Sequence, residues 1–172
     1  MDSHSHSIRD LFPDWQKSDP LTTLTKILQV AITITSADKG NVQVFNPLSR
    51  SLRIAVSEGF AKPFLQYFDE VNHQAAACGT AIKRLERVVV EDVRQSPIFV
   101  GTEALPVLIE AGVQAVQSTP LISKEQYVVG MISTHYQVPT LPTRDQLRLL
   151  DELAEIAAEF LVGKGQSLLA KG

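Results

Sequence analysis

The sequence predicts an α+β sandwich: a central antiparallel sheet of five to six strands, terminal helices on one face, and short helices and loops over a pocket on the other. Three observations carry this. Two β-hairpin patterns, over residues 41–56 and 113–136, force antiparallel pairing. Apolar residues recur at helical spacing near both ends of the chain, from Leu21 and from Leu147. Between the hairpins runs a long irregular stretch, 60–112, holding Phe64, Phe68, Ile98, Phe99 and Leu108. An apolar connection of that length is expected to pack, roofing something over the sheet.

Residues 1–18 read as a mobile or weakly docked tail, 19–162 as the folded unit, and 163–172 as a second tail. Asp19 suits an N-cap because its carboxylate accepts an orphan backbone N–H, and Pro20 suits the first helical position. Leu21, Leu24, Ile27, Leu28 and Ala31 form the helix stripe, which the β-branched run Ile32-Thr33-Ile34-Thr35 ends near Ser36. Asn41 to Phe45 alternates, Asn46-Pro47-Leu48-Ser49 is turn chemistry, and Leu52 to Val56 alternates again. Phe60–Phe68 reads as a short helix, 69–77 as loop, and Cys78 to Arg84 as another short helix. Val88–Val90 is a short strand, and Ala104–Ala111 a helix stopped by Gly112. Val113–Ile122 and Tyr127–Tyr136 make the second hairpin. Thr143 and Gln146 form a capping box for the last helix. That helix carries one stripe of Leu147, Leu150, Ala154, Ala157 and Leu161 and an offset stripe of Leu149, Leu153, Ile156 and Phe160. The arc is wider than packing on one sheet requires, which predicts a homodimer built by four-helix packing of the terminal helices. The three glycines from Gly163 onward predict fraying.

Composition narrows the function. The 172 residues are 44% hydrophobic and 20% charged, as one globular domain would be, and the net charge is −3. No basic stripe exists to bind nucleic acid. The single cysteine, Cys78, can form no internal disulfide and no Cys-based zinc site alone. No apolar run reaches the roughly 20 residues of a membrane span, and the first residues do not read as a secretory signal. A cytoplasmic protein is expected, with no membrane and no metal. His4 and His6 read as solvated tail residues.

The second hairpin allows a geometric argument. An even-length loop centred on Lys124-Glu125 would oppose Ser118 with Met131, Val116 with Ser133, and Gln114 with His135. These six side chains share one sheet face, while Ala115, Gln117, Thr119, Gly130, Ile132 and Thr134 take the other. An apolar lining with a few convergent polar groups is what a small-molecule pocket needs. Of the two faces, the set Gln114, Val116, Ser118, Met131, Ser133 and His135 offers an imidazole and polar side chains as pocket candidates, with Cys78 and His73 as candidates from the overlying segment. The alternative is an interior polar network holding only water. Ser133 and His135 lie on one strand with no nucleophile elbow, so no Ser–His hydrolase is expected.

Four motifs in order resemble a GAF domain, of the kind found in bacterial sensor histidine kinases and related signalling proteins. They are Cys78-Gly79-Thr80-Ala81; Arg87 to Val93; Ala111-Gly112-Val113 through Pro120-Leu121; and Val129-Gly130 through Thr134-His135. The resemblance covers roughly residues 20–162. It implies a sensor module that binds a small molecule non-covalently, dimerises through its terminal helices and signals to an effector such as a kinase domain. No kinase or cyclase motif is present in these residues. In phytochrome-like relatives the positions matching Val116, Ser118 and His135 face the chromophore, which implies the same face here. The bilin-bonding cysteine of that branch has no counterpart in 101–111, so no covalent bilin is expected, and the cofactor is unknown. His73 and His135 offer haem only a lone ligand, and haem is not expected. The cyclic-nucleotide signature is not matched. Free methionine sulfoxide reductases share the Cys-Gly-Thr-Ala motif, but their chemistry needs a second thiol. Cys78 reads first as a small buried hydrophobe at a helix start; the helix N-terminus would lower its pKa, which leaves a one-cysteine enzyme as the third reading. A ligand-free domain used for dimerisation or partner docking is the second.

Overall fold

A computed structural model describes residues 7–71 and 76–170. Asp19 caps the first helix, α1 (Pro20–Thr35), its carboxylate accepting from the Thr22 N–H at 3.0 Å. The helix stops at Ser36, whose backbone is left-handed. Then follow β1 (Lys39–Asn46), β2 (Ser51–Glu58), α2 (Lys62–Phe68), β3 (Glu70–Val71), α3 (Ala77–Arg84), β4 (Val88–Val90), α4 (Ala104–Glu110), β5 (Ala115–Ile122), β6 (Val128–Tyr136) and α5 (Arg144–Leu169). The two-residue β3 lies inside the stretch that the sequence reads as loop.

All six strands form one antiparallel sheet in the order β3-β2-β1-β6-β5-β4. Alternation along each strand gives the sheet two buried faces. One face carries Val42, Val44, Leu121 and Ile132 against α1 and α5. The other carries Leu52, Val88, Val90, Val116 and Met131 under α2, α3, α4 and the loop around Phe99. Among the described residues no helix is long and apolar enough to cross a membrane.

Four expectations change. The hairpin register differs by two residues from the even-loop pairing: Ser118 opposes Ser133, Val116 opposes His135, and Met131 opposes Pro120. The turn accounts for this. Gln126 is left-handed, with φ of 66°, the Ser123 N–H donates to the Tyr127 carbonyl, and the register shifts again between Leu121 and Ile122. That is a three-residue loop followed by a bulge. Because the displacement is two and not one, every side chain keeps its predicted face.

The N-terminal segment is not a loose tail from residue 8 onward. Ile8–Leu11 forms a 3-10 turn, Ile8 and Phe12 are buried, and the Trp15 ring meets Phe160 edge-on at 5.4 Å. Arg9 pairs with Glu159 at 3.0 Å, and Lys26 donates to the Leu11 carbonyl. Both stripes of α5 are consequently covered within the chain, by the sheet and by α1 with this segment. The apolar excess that predicted a dimer is used internally. The outward stripe of α5 (Arg148, Asp151, Glu155, Glu159, Val162) is mostly charged. The fraying expected after Gly163 does not occur: the helix continues to Leu169, with Leu168 and Leu169 packed on the core.

A cavity between the sheet and its roof

The floor of the candidate site is a set of neighbouring positions on β5, β6 and β1. Antiparallel pairing puts Ser118 beside Ser133 and Ser133 beside Asn41. One step along, Val116 lies beside His135 and His135 beside Lys39. Gln43 follows Asn41 by two residues and so shares its face. The roof comprises Phe64 and Phe68 of α2, Ala76, Ala77 and Cys78 at the start of α3, and Phe99 and Leu108. Between floor and roof remains a cavity of about 20 Å³. That holds roughly one water molecule.

Polar groups on this floor are deeply buried. Asn41 is 4% exposed, Gln43 2%, and His135 4%. The Ser118 and Ser133 hydroxyls bond each other at 2.7 Å. Asn41 Oδ1, Gln43 Oε1 and His135 Nδ1 have no hydrogen-bond partner. Each such group costs about 1–3 kcal/mol unless something satisfies it. The His135 imidazole packs edge-on against Phe60 at 4.9 Å and Phe64 at 5.7 Å. Burial, and then the charge of Lys39, push its pKa down to about 3, so the ring is neutral near pH 7. The Cys78 thiol is pushed up to about 11 by burial. The Gly79 N–H and the Gln43 side chain oppose that shift and lose. Cys78 is thus a buried core residue, as its reading as a small hydrophobe at a helix start has it, and the helix N-terminus does not activate it.

Of the sequence-predicted pocket, the structure brings Val116, Ser118, Ser133, His135 and Cys78 onto one cavity. Gln114 is not there: it precedes β5, its N–H donates to the Tyr136 carbonyl, and its carbonyl accepts from Val93. The two-residue register difference places Val116, not Gln114, across from His135. Met131 is fully buried in the same core but outside the cavity lining. His73 lies outside the described residues. Asn41 and Gln43 are absent from the sequence-predicted site, whereas Phe64, Phe68 and Phe99 form the roof expected of the apolar 60–112 stretch. The signal was available in part, since Asn41-Val42-Gln43-Val44 alternates. Only the adjacency of β1 and β6 turns those amides toward the serines. Among the described residues, no group of three or more His, Cys, Asp or Glu side chains is placed to hold a metal.

Comparison with known proteins agrees with this architecture. The chain is similar to a GAF domain from an Acinetobacter phosphoenolpyruvate-protein phosphotransferase, at 12% identity and a TM-score of 0.74, covering 92% of each chain. It is similar to free methionine-R-sulfoxide reductase from Neisseria meningitidis, at 17% identity and 0.69, covering 92% of this chain and 86% of that one. A third similar structure is the GAF domain/HD domain protein from Geobacter sulfurreducens, at 16% identity and 0.70, covering 87% of this chain and 96% of that one. At these identities the likeness is one of fold. No curated protein matches the sequence. The GAF domain family profile matches residues 17–162. By that match, over most of its length, the chain belongs to the GAF domain family.

Proposed function

We propose that this GAF domain is a cytoplasmic sensory module that takes a small molecule non-covalently between sheet and roof and signals to an effector such as a kinase domain. GAF domains are typically sensory or regulatory in signalling. One observation carries the ligand reading: Asn41 Oδ1, Gln43 Oε1 and His135 Nδ1 all lie buried and unpartnered on one cavity. A purely structural interior tends to satisfy such groups or replace them with apolar ones. The cavity is small in this conformation, so binding requires the roof to move outward. A thermal-shift screen with a metabolite panel tests this, because a ligand that prefers the folded state raises Tm. The proposal expects at least one saturable rise, lost in Gln43→Leu. A panel without hits favours the ligand-free alternative.

The enzyme reading draws on the fold shared with the sulfoxide reductase, and it predicts thiol-dependent consumption of free methionine sulfoxide that is lost in Cys78→Ser. A buried thiol with its pKa near 11 supplies almost no thiolate at neutral pH, which speaks against it. Self-association is proposed in a changed form. With both apolar stripes of α5 covered, a second copy reaches the α1–α5 seam only by displacing the segment from Ile8 to Trp15.

A further inference from the structure

Resting on the ligand-binding reading above, we infer that the cavity selects an uncharged molecule bearing a carbonyl group with two N–H donors: a primary carboxamide or a urea. Every described side chain that lines the cavity is uncharged: two amides, two hydroxyls, one thiol, one imidazole, and otherwise aromatic or aliphatic groups. Residues 72–75, which join β3 to α3, read Asn-His-Gln-Ala and bring no permanent charge wherever they lie. The nearest cation by strand register, Lys39 beside His135, is engaged elsewhere. Its ammonium donates to the Gly59 carbonyl at 2.8 Å and lies over the outer ring Phe60, 5.8 Å from its centroid. A carboxylate, phosphate or ammonium entering this site would be desolvated with no charged side chain among the described lining residues, and the Lys39 charge that reaches His135 is already held by the Gly59 carbonyl and the Phe60 ring.

The open hydrogen-bonding positions narrow the choice further. Asn41 Oδ1 and Gln43 Oε1 are acceptors awaiting donors. They sit two residues apart on one strand, so they approach a ligand from the same side. His135 is buried as the neutral imidazole, and its Nδ1 is the third open position. A group that donates two N–H bonds while offering or accepting one more matches this set. A primary amide and a urea do so without carrying charge. Phe64, Phe68 and Phe99 above provide a flat apolar surface for the rest of the molecule. A hydrocarbon would leave all three polar atoms unsatisfied, and an alcohol supplies one donor only.

Benzamide, benzoate and benzamidinium test this directly, since they have nearly the same shape and differ in charge. Each is titrated into the full chain and followed by Tm and by calorimetry. Benzamide is expected to bind saturably and at least tenfold more tightly than either charged analogue. Asn41→Leu, which keeps the branched heavy-atom shape and removes an unpartnered oxygen, is expected to fold and to lose the benzamide response, with Gln43→Met as the second variant. Equal or tighter binding of benzoate or benzamidinium overturns the inference, as does undiminished benzamide binding in both variants. A charged hit from the metabolite screen that binds this cavity also overturns it, while leaving the ligand-binding reading intact. Failure of the three probes and of the whole screen removes that reading, and this inference with it.

Discussion

Ser118 and Ser133 face each other across β5 and β6 with their hydroxyl oxygens 2.7 Å apart, both nearly inaccessible to water. The pair satisfies itself, unlike the amides beside it. Ser133→Ala removes the partner that Ser118 has here and should cost about 1–3 kcal/mol. Ser118→Ala should cost a similar amount. The double variant leaves neither hydroxyl stranded, so its cost should fall clearly below the sum. Urea denaturation of the four proteins measures the coupling; strict additivity would show that the two hydroxyls do not depend on each other.

His135 makes stability depend on pH in a calculable direction. Its folded-state pKa is lowered to about 3, against about 6.5 when unfolded. Between those values the unfolded chain holds a proton that the folded chain does not. The stability from keeping the ring neutral is therefore intact above about pH 6.5 and is lost as pH falls toward 3. The slope approaches roughly 1.4 kcal/mol per pH unit. Denaturant melts from about pH 7.5 down to about 4.5 should show the wild type losing stability faster than His135→Gln. Parallel curves would contradict it.

Two glycines should respond to alanine with opposite signs. A Cβ on Gly130 would lie 2.5 Å from the Gln43 carbonyl oxygen and 2.7 Å from Leu161 Cδ1. Backbone cannot yield as a side-chain tip can, so Gly130→Ala should cost at least about 1–3 kcal/mol. Gly163 lies within α5 with nothing near its Cβ position. Gly163→Ala should stabilise by about 0.5–1 kcal/mol, because glycine weakens a helix interior. Thermal unfolding of the two variants separates these outcomes.

The segment before α1 should behave as part of the fold. Phe12 is buried on the α1–α5 side, and Phe12→Ala should cost about 3 kcal/mol. Deleting residues 1–16 uncovers Phe160 and the seam that Trp15 and Phe12 close. Analytical ultracentrifugation should then find more self-association than in the full chain. An unchanged sedimentation coefficient and unchanged stability would show that this segment seals nothing.

How much of this was legible in the sequence depends on the length scale of each signal. The caps of α1 and α5 were readable because Asp19-Pro20 and the Thr143–Gln146 box are local; the latter forms reciprocal bonds at 2.8 and 3.2 Å. The pocket face of the second hairpin was readable because strand parity survives a displacement of two. The register itself was not, since nothing in Ser123-Lys124-Glu125-Gln126 announces a left-handed Gln126 in place of a glycine. Asn41 and Gln43 belong to a strand 90 residues away from Ser133, and only sheet order brings them together. The covering of α5 by Phe12 and Trp15 is a contact of the same long range, and isolated apolar residues in a polar stretch do not reveal it.

The most direct test of the central claim, that the buried amides of β1 face a ligand, follows the side-chain NH2 resonances of Asn41 and Gln43 by NMR. Benzamide, or the strongest compound from the thermal-shift screen, is titrated into the full chain. Both amides and the His135 ring are expected to shift together, saturating at the concentration where the Tm rise saturates. Shifts confined to the outer surface of α5 or to exposed loops, with Asn41 and Gln43 unmoved, would contradict it.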